Sequence, residues 1–149
     1  MSIQIRQTRT EDERAQCLQI RMEVFVDEQQ VPAELELDEY DDCATHLLLT
    51  ENDVPLATAR LVNKHGIAKI GRVAVVKSAR GRGLGLRLME AVLEEARVQG
   101  FAKAMLDSQT YAIPFYEKLG FVAAGEEFDD AGIPHRLMRR SLGEEASVG

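Results

Sequence analysis

The feature that most constrains this chain is a glycine-rich loop between a strand-like run and a helix-like run. The loop consists of Arg80, Gly81, Arg82, Gly83, Leu84 and Gly85. Residues 71–76 before it are rich in valine, and residues 84–99 after it repeat an apolar side chain at every fourth position, which predicts a strand and then an amphipathic helix. Gly100 is a natural helix stop, and residues 101–108 predict a buried strand. A strand–loop–helix–strand unit makes its two strands parallel and its crossover right-handed.

Antiparallel strands are predicted on both sides of this unit. Before it, Thr10 and Glu13 form a capping box that opens a first helix. The other expected elements are strands at residues 3–7, 45–50, 55–63 and 67–76, a short helix at 114–119, and a hairpin of residues 121–128 and 133–140.

These elements predict a mixed α/β fold. We expect a central, mostly antiparallel sheet of six to seven strands, with one parallel crossover pair and helices on both faces. Gly71 lies inside the third strand of the meander and predicts a bulge there. The length of 149 residues suits one domain, for which we expect residues 1–142, followed by a flexible polar tail at 143–149.

Composition narrows the class of protein. Hydrophobic residues make up 45% of the chain, and no apolar run approaches the roughly 18 residues of a membrane span. The net charge of −7 argues against a general nucleic-acid binder. Cys17 and Cys43 are isolated and are expected to be free thiols, and three scattered histidines have no metal-ligand spacing. We therefore expect a cytoplasmic protein with no metal, no membrane partner and no nucleic-acid partner.

The charges are segregated along the chain. Residues 27–42 contain eight acids and no Lys or Arg, whereas residues 54–89 contain eight bases and no acid. The acidic segment predicts a loop over residues 27–44 with room for a short helix. One segment is suited to attract a cation and the other a polyanion, although two solvated faces of opposite sign would produce the same pattern.

The glycine loop is suited to bind a pyrophosphate. Free backbone N–H groups and the positive end of a helix converge where a strand leads into a helix. Glycines let the backbone approach a ligand, and Arg80, Arg82 and Arg87 add positive charge that can pair with phosphate. The alternative is a tight turn whose arginines serve only solubility.

Two nucleotide-binding patterns do not fit the loop. The Walker pattern requires Lys followed by Ser or Thr, and both are missing here. The dinucleotide fingerprint requires a glycine where Leu86 stands, and it requires an acidic residue after a new strand about 20 residues later. The predicted helix is still running at that point.

A third pattern fits. The segment Arg80-x-x-Gly83-x-Gly85 resembles the Arg/Gln-x-x-Gly-x-Gly/Ala signature of the GNAT acetyltransferase superfamily. Residues 112–121, AIPFYEKLGF, are similar to that family's A-x-x-F-Y-x-K-x-G-F segment, and the predicted element order also matches. Residues 21–32 and 38–46 resemble the ElaA-like bacterial branch.

The resemblance implies an enzyme that transfers acetyl from acetyl-CoA to a primary amine by direct attack in a ternary complex. It implies that the backbone of Val73, Ala74 and Val75 pairs with the pantetheine arm and that the amides of residues 80–85 hold the pyrophosphate. Gln109 and Ala112 are implied cofactor contacts. Tyr116 is implied to lie near the sulfur, where its phenol can protonate the leaving thiolate.

The sequence does not identify a single general base. A backbone N–H at the bulge near Val73 could stabilise the oxyanion, but residues 70–75 contain no carboxylate. The candidate bases are Glu28, His46 and Asp107, which could equally be a solvated loop acid, a strand-end hydrogen-bonding group and a partner for Arg72. A chain of waters could also remove the proton.

The acidic segment is expected to border the acceptor groove, which favours a cationic small-molecule or peptide amine: polyamine-like, aminosugar-like or lysine-like. A homodimer is compatible with the sequence but is not specified by it. The alternative functions are a non-catalytic sensor that binds acyl-CoA and a nucleotide-binding module.

Overall fold

The structure is a computed structural model in which residues 2–143 are described. Within that range, seven strands form a single sheet in the order β1-β2-β3-β4-β5-β7-β6. The strands are β1 (Ile3–Gln7), β2 (Thr45–Glu51), β3 (Val54–Lys64), β4 (Ile67–Val75), β5 (Lys103–Gln109), β6 (Val122–Asp130) and β7 (Ile133–Ser141). The α-helices are α1 (Glu11–Arg21), α2 (Ala33–Glu36), α3 (Leu84–Val98) and α4 (Ile113–Glu117). Apart from Gly143, the predicted tail lies outside the described residues.

The sheet has the predicted mixed topology. Strands β1 to β4 form an antiparallel meander, and β7 pairs antiparallel with both β5 and β6. Among the described strands, only β4 and β5 are parallel, with α3 as the crossover between them. The prediction of a mostly antiparallel α/β sheet with one parallel pair is confirmed.

The parallel pair separates before either strand ends. Its register runs from Ala68 opposite Ala104 to Ile70 opposite Leu106, whereas β4 continues to Val75 and β5 continues to Gln109. The facing edges of the two strands are therefore not paired with each other beyond Ile70 and Leu106. This divergence places a gap in the middle of the sheet.

Helix α1 begins as predicted and then extends into the acidic segment. The Oγ1 of Thr10 accepts from the N–H of Glu13 at 3.1 Å, and the Glu13 carboxylate accepts from the N–H of Thr10 at 3.3 Å. Beyond Arg21 the chain continues as a π-helix, Met22–Glu28. The predicted acidic loop then contains α2, confirming a short helix, and a 3₁₀ turn at Glu39–Asp42.

The core lies on both faces of the sheet. Consecutive residues Leu47, Leu48 and Leu49 in β2 are all buried, which requires cover on both sides because neighbouring side chains point to opposite faces. On α3, the predicted apolar stripe is buried, and Leu88, Met89 and Val92 are fully inaccessible. The fold is therefore a layered α/β domain in which the sheet divides two packed helical layers.

The bulge predicted at Gly71 is present in β4. Thr58 faces Ala74 and Arg60 faces Gly71, so β4 uses one residue more than β3 over this stretch. The left-handed φ of +51° occurs at Arg72 and not at Gly71. A non-glycine residue in this conformation is strained, and its side-chain contacts must compensate.

The β6–β7 hairpin is confirmed with a tighter turn than expected. Its two loop residues, Ala131 and Gly132, have φ of +54° and +81°, the pattern of a type I′ turn. Cys17 and Cys43 are both unpaired. Among the helices of residues 2–143, none has the length and apolar character that crossing a bilayer requires.

Candidate active site

A cavity of about 500 Å³ lies where β4 and β5 separate. Its walls come from the bulge of β4, the end of β5, the segment after α1, α4 and the β6–β7 hairpin. Among the predicted site residues, Val73, Gln109, Ala112 and Tyr116 line it, together with Asp107. The structure therefore brings these five residues together around one opening.

The free edge of β4 is suited to pair with an extended ligand. Ala74 and Val75 are paired with β3 on one side, and their other side faces the gap to β5. An extended chain can add to such an edge through backbone hydrogen bonds. One of these groups is already engaged, because the Nε of Arg80 donates to the carbonyl oxygen of Val75 at 2.9 Å.

The glycine loop ends in an uncapped helix. Gly81 and Gly83 have φ of +82° and +76°, a region that L-residues avoid, and apart from the adjoining residues no described atom lies within 4 Å of a Cβ built on either one. Gly83 is the N-cap of α3 and supplies no side-chain cap, so the first N–H groups of the helix are available to an anion.

The arginines of the loop are held by carboxylates. Arg80 forms a bidentate pair with Glu28 at 2.6 and 2.8 Å, and Arg82 forms one with Glu51 at 2.6 and 3.0 Å. Arg87 is exposed and has no ion-pair partner within residues 2–143. An incoming pyrophosphate would therefore meet the backbone amides first, and it would compete with two carboxylates for the guanidinium groups.

Tyr116 presents a protonated phenol to the cavity. Its ring packs edge-on against Phe115 at 5.0 Å and Phe121 at 6.1 Å between ring centroids, so the core fixes its position. Burial raises the pKa of Tyr116 to about 12. Within residues 2–143 the hydroxyl has no hydrogen-bond partner. It is also not one of the unpaired side-chain atoms that are fully buried, so it is exposed to the cavity. It is therefore available to a ligand.

A buried ion network anchors the acidic segment to the sheet. Arg21, whose side chain is 3% exposed, contacts Glu36 at 2.8 Å and Asp41 at 2.7 Å. Two other arginines join it: Arg60 pairs with Asp38 at 2.7 Å and Asp41 at 3.1 Å, and Arg72 pairs with Glu36 at 3.1 Å and Asp38 at 3.2 Å. These contacts explain how the strained Arg72 is held, and they show that three carboxylates of the segment are already neutralised.

The surroundings of the network also shift the pKa values of its carboxylates. Despite its partial burial, hydrogen bonds from Arg21 and from the N–H of Asp38 hold the pKa of Asp41 far below its usual range. Burial raises the pKa of Glu36, against the opposing pull of Arg21 and Arg72. The carboxylates differ because Glu36 is the most deeply enclosed.

The three candidate bases lie in different surroundings. Both oxygens of Glu28 are occupied by Arg80, which lowers the Glu28 pKa. His46 does not line the cavity; its Nε2 donates to the Asp41 carbonyl oxygen at 2.9 Å, and burial lowers its pKa. Asp107 lines the cavity but pairs with Lys69 at 3.0 Å, not with Arg72.

His135, which was not among the predicted site residues, lies on β7 and lines the cavity. Its Cα partner on β5 is Gln109, whose amide nitrogen donates to the Gln29 side-chain oxygen at 2.8 Å. No motif surrounds His135, and only the strand pairing brings it to the site. Across residues 2–143, no three His, Cys, Asp or Glu side chains are grouped as metal ligands.

Comparison with known proteins places this geometry in a family. The profile of the GNAT acetyltransferase domain matches residues 7–142. The chain is 38% identical over 133 residues to the uncharacterized N-acetyltransferase YjcF of Bacillus subtilis, covering 89% of this chain and 95% of that protein.

Two solved structures are similar over nearly the whole chain. An acyl-CoA N-acyltransferase from Pseudomonas aeruginosa has a TM-score of 0.84 and 35% identity, covering 93% of this chain and 98% of that one. Escherichia coli ElaA has a TM-score of 0.85 and 29% identity, covering 93% and 99%. With the glycine loop, the divergent strands and the buried tyrosine all in place, this chain belongs to the GNAT acetyltransferase family and is an N-acetyltransferase.

Proposed function

We propose that this enzyme transfers the acetyl group of acetyl-CoA to a primary amine by direct attack in a ternary complex. The observation that carries the proposal is the gap between β4 and β5, which has the uncapped glycine loop at one end and the Tyr116 phenol beside it. These features would supply a site for the pyrophosphate in the loop that follows β4, an edge for the extended arm along β4, and a proton donor in the cavity.

Acetyl-CoA fits the residues present. The amides of residues 80–85 would hold the pyrophosphate, since Gly81 and Gly83 leave open space where a Cβ would project. The backbone of Val73, Ala74 and Val75 would pair with the pantetheine arm, and Gln109 and Ala112 would contact it from the other side of the gap.

The chemistry requires an oxyanion donor and an acid. A backbone N–H at the bulge near Val73 is suited to stabilise the tetrahedral oxyanion, because the bulge interrupts pairing with β3. The Tyr116 phenol is protonated at neutral pH and can transfer its proton to the leaving thiolate. The alternative role for Tyr116 is packing alone, which its contacts with Phe115 and Phe121 also support.

We propose a cationic acceptor of the polyamine, aminosugar or lysine type, either a small molecule or a peptide. Fewer carboxylates are free to attract a cation than the acidic sequence indicates, because Glu36, Asp38 and Asp41 are paired with arginines. Asp130, on the hairpin side of the cavity, has no ion-pair partner among the described residues and is the carboxylate best placed to attract an ammonium group. We also propose that the enzyme is cytoplasmic, which its two free thiols support. We further propose that it can form a homodimer.

The test measures thiol release from acetyl-CoA with a panel of cationic, neutral and acidic amines. We expect turnover with cationic amines and a 10²- to 10⁴-fold lower kcat for Tyr116→Phe, on the order of what general acid catalysis contributes. Tyr111→Phe removes a second phenol that lines the same cavity but is 75% exposed; it should keep most of the wild-type kcat, which would show that the loss is specific to Tyr116.

Each other result has a definite meaning. Wild-type kcat in a folded Tyr116→Phe variant would remove that residue from the mechanism. Acetyl-CoA binding without turnover of any amine would favour the sensor function, and tighter binding of ATP or NAD than of coenzyme A would favour the nucleotide-binding module. Faster reaction with an acidic acceptor than with all cationic amines would refute the cationic preference.

A further inference from the structure

We propose that His135 is the general base that deprotonates the acceptor amine, an inference that rests on the proposed amine acetylation. His135 lies on β7 and lines the same cavity as Tyr116. Its Cα partners are Gln109 on β5 and Phe128 on β6. Because side chains alternate along a strand, His135, Gln109 and Asp107 lie on one face of the sheet.

The imidazole of His135 is held in the tautomer that a base requires. Its Nδ1 lies 2.7 Å from the backbone oxygen of Ile133, which can only accept a hydrogen bond. The proton of the neutral ring is therefore on Nδ1, and Nε2 carries the free lone pair. The ring also stacks on Phe128, with 5.9 Å between centroids and 24° between planes, so its orientation is fixed.

The Nε2 atom is accessible to a ligand. It makes no hydrogen bond to any described residue. It is also not fully inaccessible: within residues 2–143, the side-chain atom that is both unpaired and fully buried is the Nε of Arg60. Only 9% of His135 is exposed, and its side chain borders the cavity. The basic nitrogen is therefore reached from the side where an acceptor can bind.

The other candidate groups are less suited to accept this proton. Glu28 gives both oxygens to Arg80, and Asp107 is paired with the Lys69 ammonium. His46 is off the cavity lining, with its Nε2 committed to a backbone carbonyl. His135 combines a cavity position with an uncommitted basic atom.

The proton balance assigns one proton to each group. An ammonium acceptor gives its first proton to Nε2 of His135, which releases it to solvent. The amine lone pair then forms the C–N bond, and the C–S bond breaks with its electrons on sulfur. The thiolate takes the Tyr116 phenol proton, and the phenolate regains one from the acylated nitrogen. The products are an amide and a free thiol, with one proton released to water.

Several charged groups share the surroundings of His135. Strand β5 contributes Asp107, paired with Lys69, and the hairpin contributes Asp130. Across the cavity lie the Arg60 and Arg72 ion pairs of the acidic segment. A pH profile must therefore be interpreted against a variant that removes only the imidazole.

The test compares His135→Asn, His135→Gln and the wild-type enzyme by thiol release over a range of pH with the best cationic amine. We expect kcat/KM at neutral pH to fall by 10²- to 10⁴-fold in both variants, with loss of the acidic limb of the profile. Thermal midpoint and acetyl-CoA affinity should stay close to wild type, which separates loss of a base from loss of the fold.

The matched control is His65→Asn. His65 lies in the exposed β3–β4 turn with φ of +54°, a conformation that Asn tolerates well, so kinetics and stability should not change. Folded His135 variants that keep wild-type kcat/KM and the acidic limb would overturn the proposal while leaving amine acetylation intact. A wild-type enzyme that acetylates no amine would overturn both.

Discussion

Replacing Arg21 with methionine tests whether the buried ion network holds the acidic segment on the sheet. Arg21 joins α1 to α2 and the following 3₁₀ turn through four hydrogen bonds, two to Glu36 and two to Asp41. Methionine approximates the aliphatic stem of arginine and removes the charge. The substitution therefore leaves two carboxylates without their principal partner in a low-dielectric environment.

The structure sets the size of the effect. Removing one partner of a buried ion pair typically costs about 3–5 kcal/mol. Arg72 remains 3.1 Å from Glu36, and Arg60 remains 3.1 Å from Asp41, so partial compensation favours the lower end, about 3 kcal/mol. For a domain of this size, that loss lowers the thermal midpoint by about 6–12 °C.

Denaturant unfolding and calorimetry measure the loss. The matched control is Arg14→Met, because Arg14 is half exposed and lies 3.8 Å from the fully exposed Asp42; it should cost at most about 1 kcal/mol. Adding Glu36→Gln to Arg21→Met should recover part of the stability, since it removes an uncompensated charge.

The same variant has a kinetic signature. Glu36 and Asp38, which the network anchors, line the cavity where we propose that the acceptor binds, whereas the glycine loop is held by Glu28 and Glu51, outside that network. Arg21→Met should therefore raise the acceptor KM and leave the Kd of acetyl-CoA unchanged. A stability loss equal to that of Arg14→Met, or equal weakening of both substrates, would refute this reasoning.

Further predictions concern the glycine loop and acid stability. Gly83→Ala should destabilise the protein by about 1–2 kcal/mol, the cost of placing an L-residue in the left-handed region. It should also weaken acetyl-CoA binding, as measured by titration calorimetry. Gly85→Ala should raise the unfolding free energy by about 0.5–1 kcal/mol and preserve acetyl-CoA binding. The φ of Gly85 is ordinary, and its Cβ would meet Phe115 at 3.6 Å, a normal contact. Loss of acetyl-CoA binding in Gly85→Ala would contradict the expected difference between the two glycines. Because the pKa of Asp41 is lowered on folding, its contribution to stability is present above its unfolded-state pKa and is lost as pH falls through its folded-state value. Unfolding free energy should therefore fall below about pH 4, and Asp41→Asn should flatten that slope; an unchanged slope would exclude the mechanism.

Much of the proposed cofactor site is formed by residues that are close together in the sequence. The loop glycines, the helix after them and the strand before them are neighbours along the chain, so backbone preference and apolar spacing predict their arrangement. Tyr116 follows a similar logic, because its segment resembles a family motif. The fold class was predictable for the same reason, since short turns pair adjacent strands.

The sequence by itself determined the order of helices and strands, the crossover and the glycine loop, because these depend on interactions within a few residues of each other. Only the tertiary structure decided which charges remain free. It pairs Arg21 with Glu36 and Arg80 with Glu28, contacts between distant segments that no local pattern encodes. It also brings His135 into the cavity through strand pairing with β5, whereas charge and motif spacing had pointed to other residues. The acidic segment thus predicted a general attraction for cations, but in the folded chain most of its carboxylates are paired with the protein's own arginines.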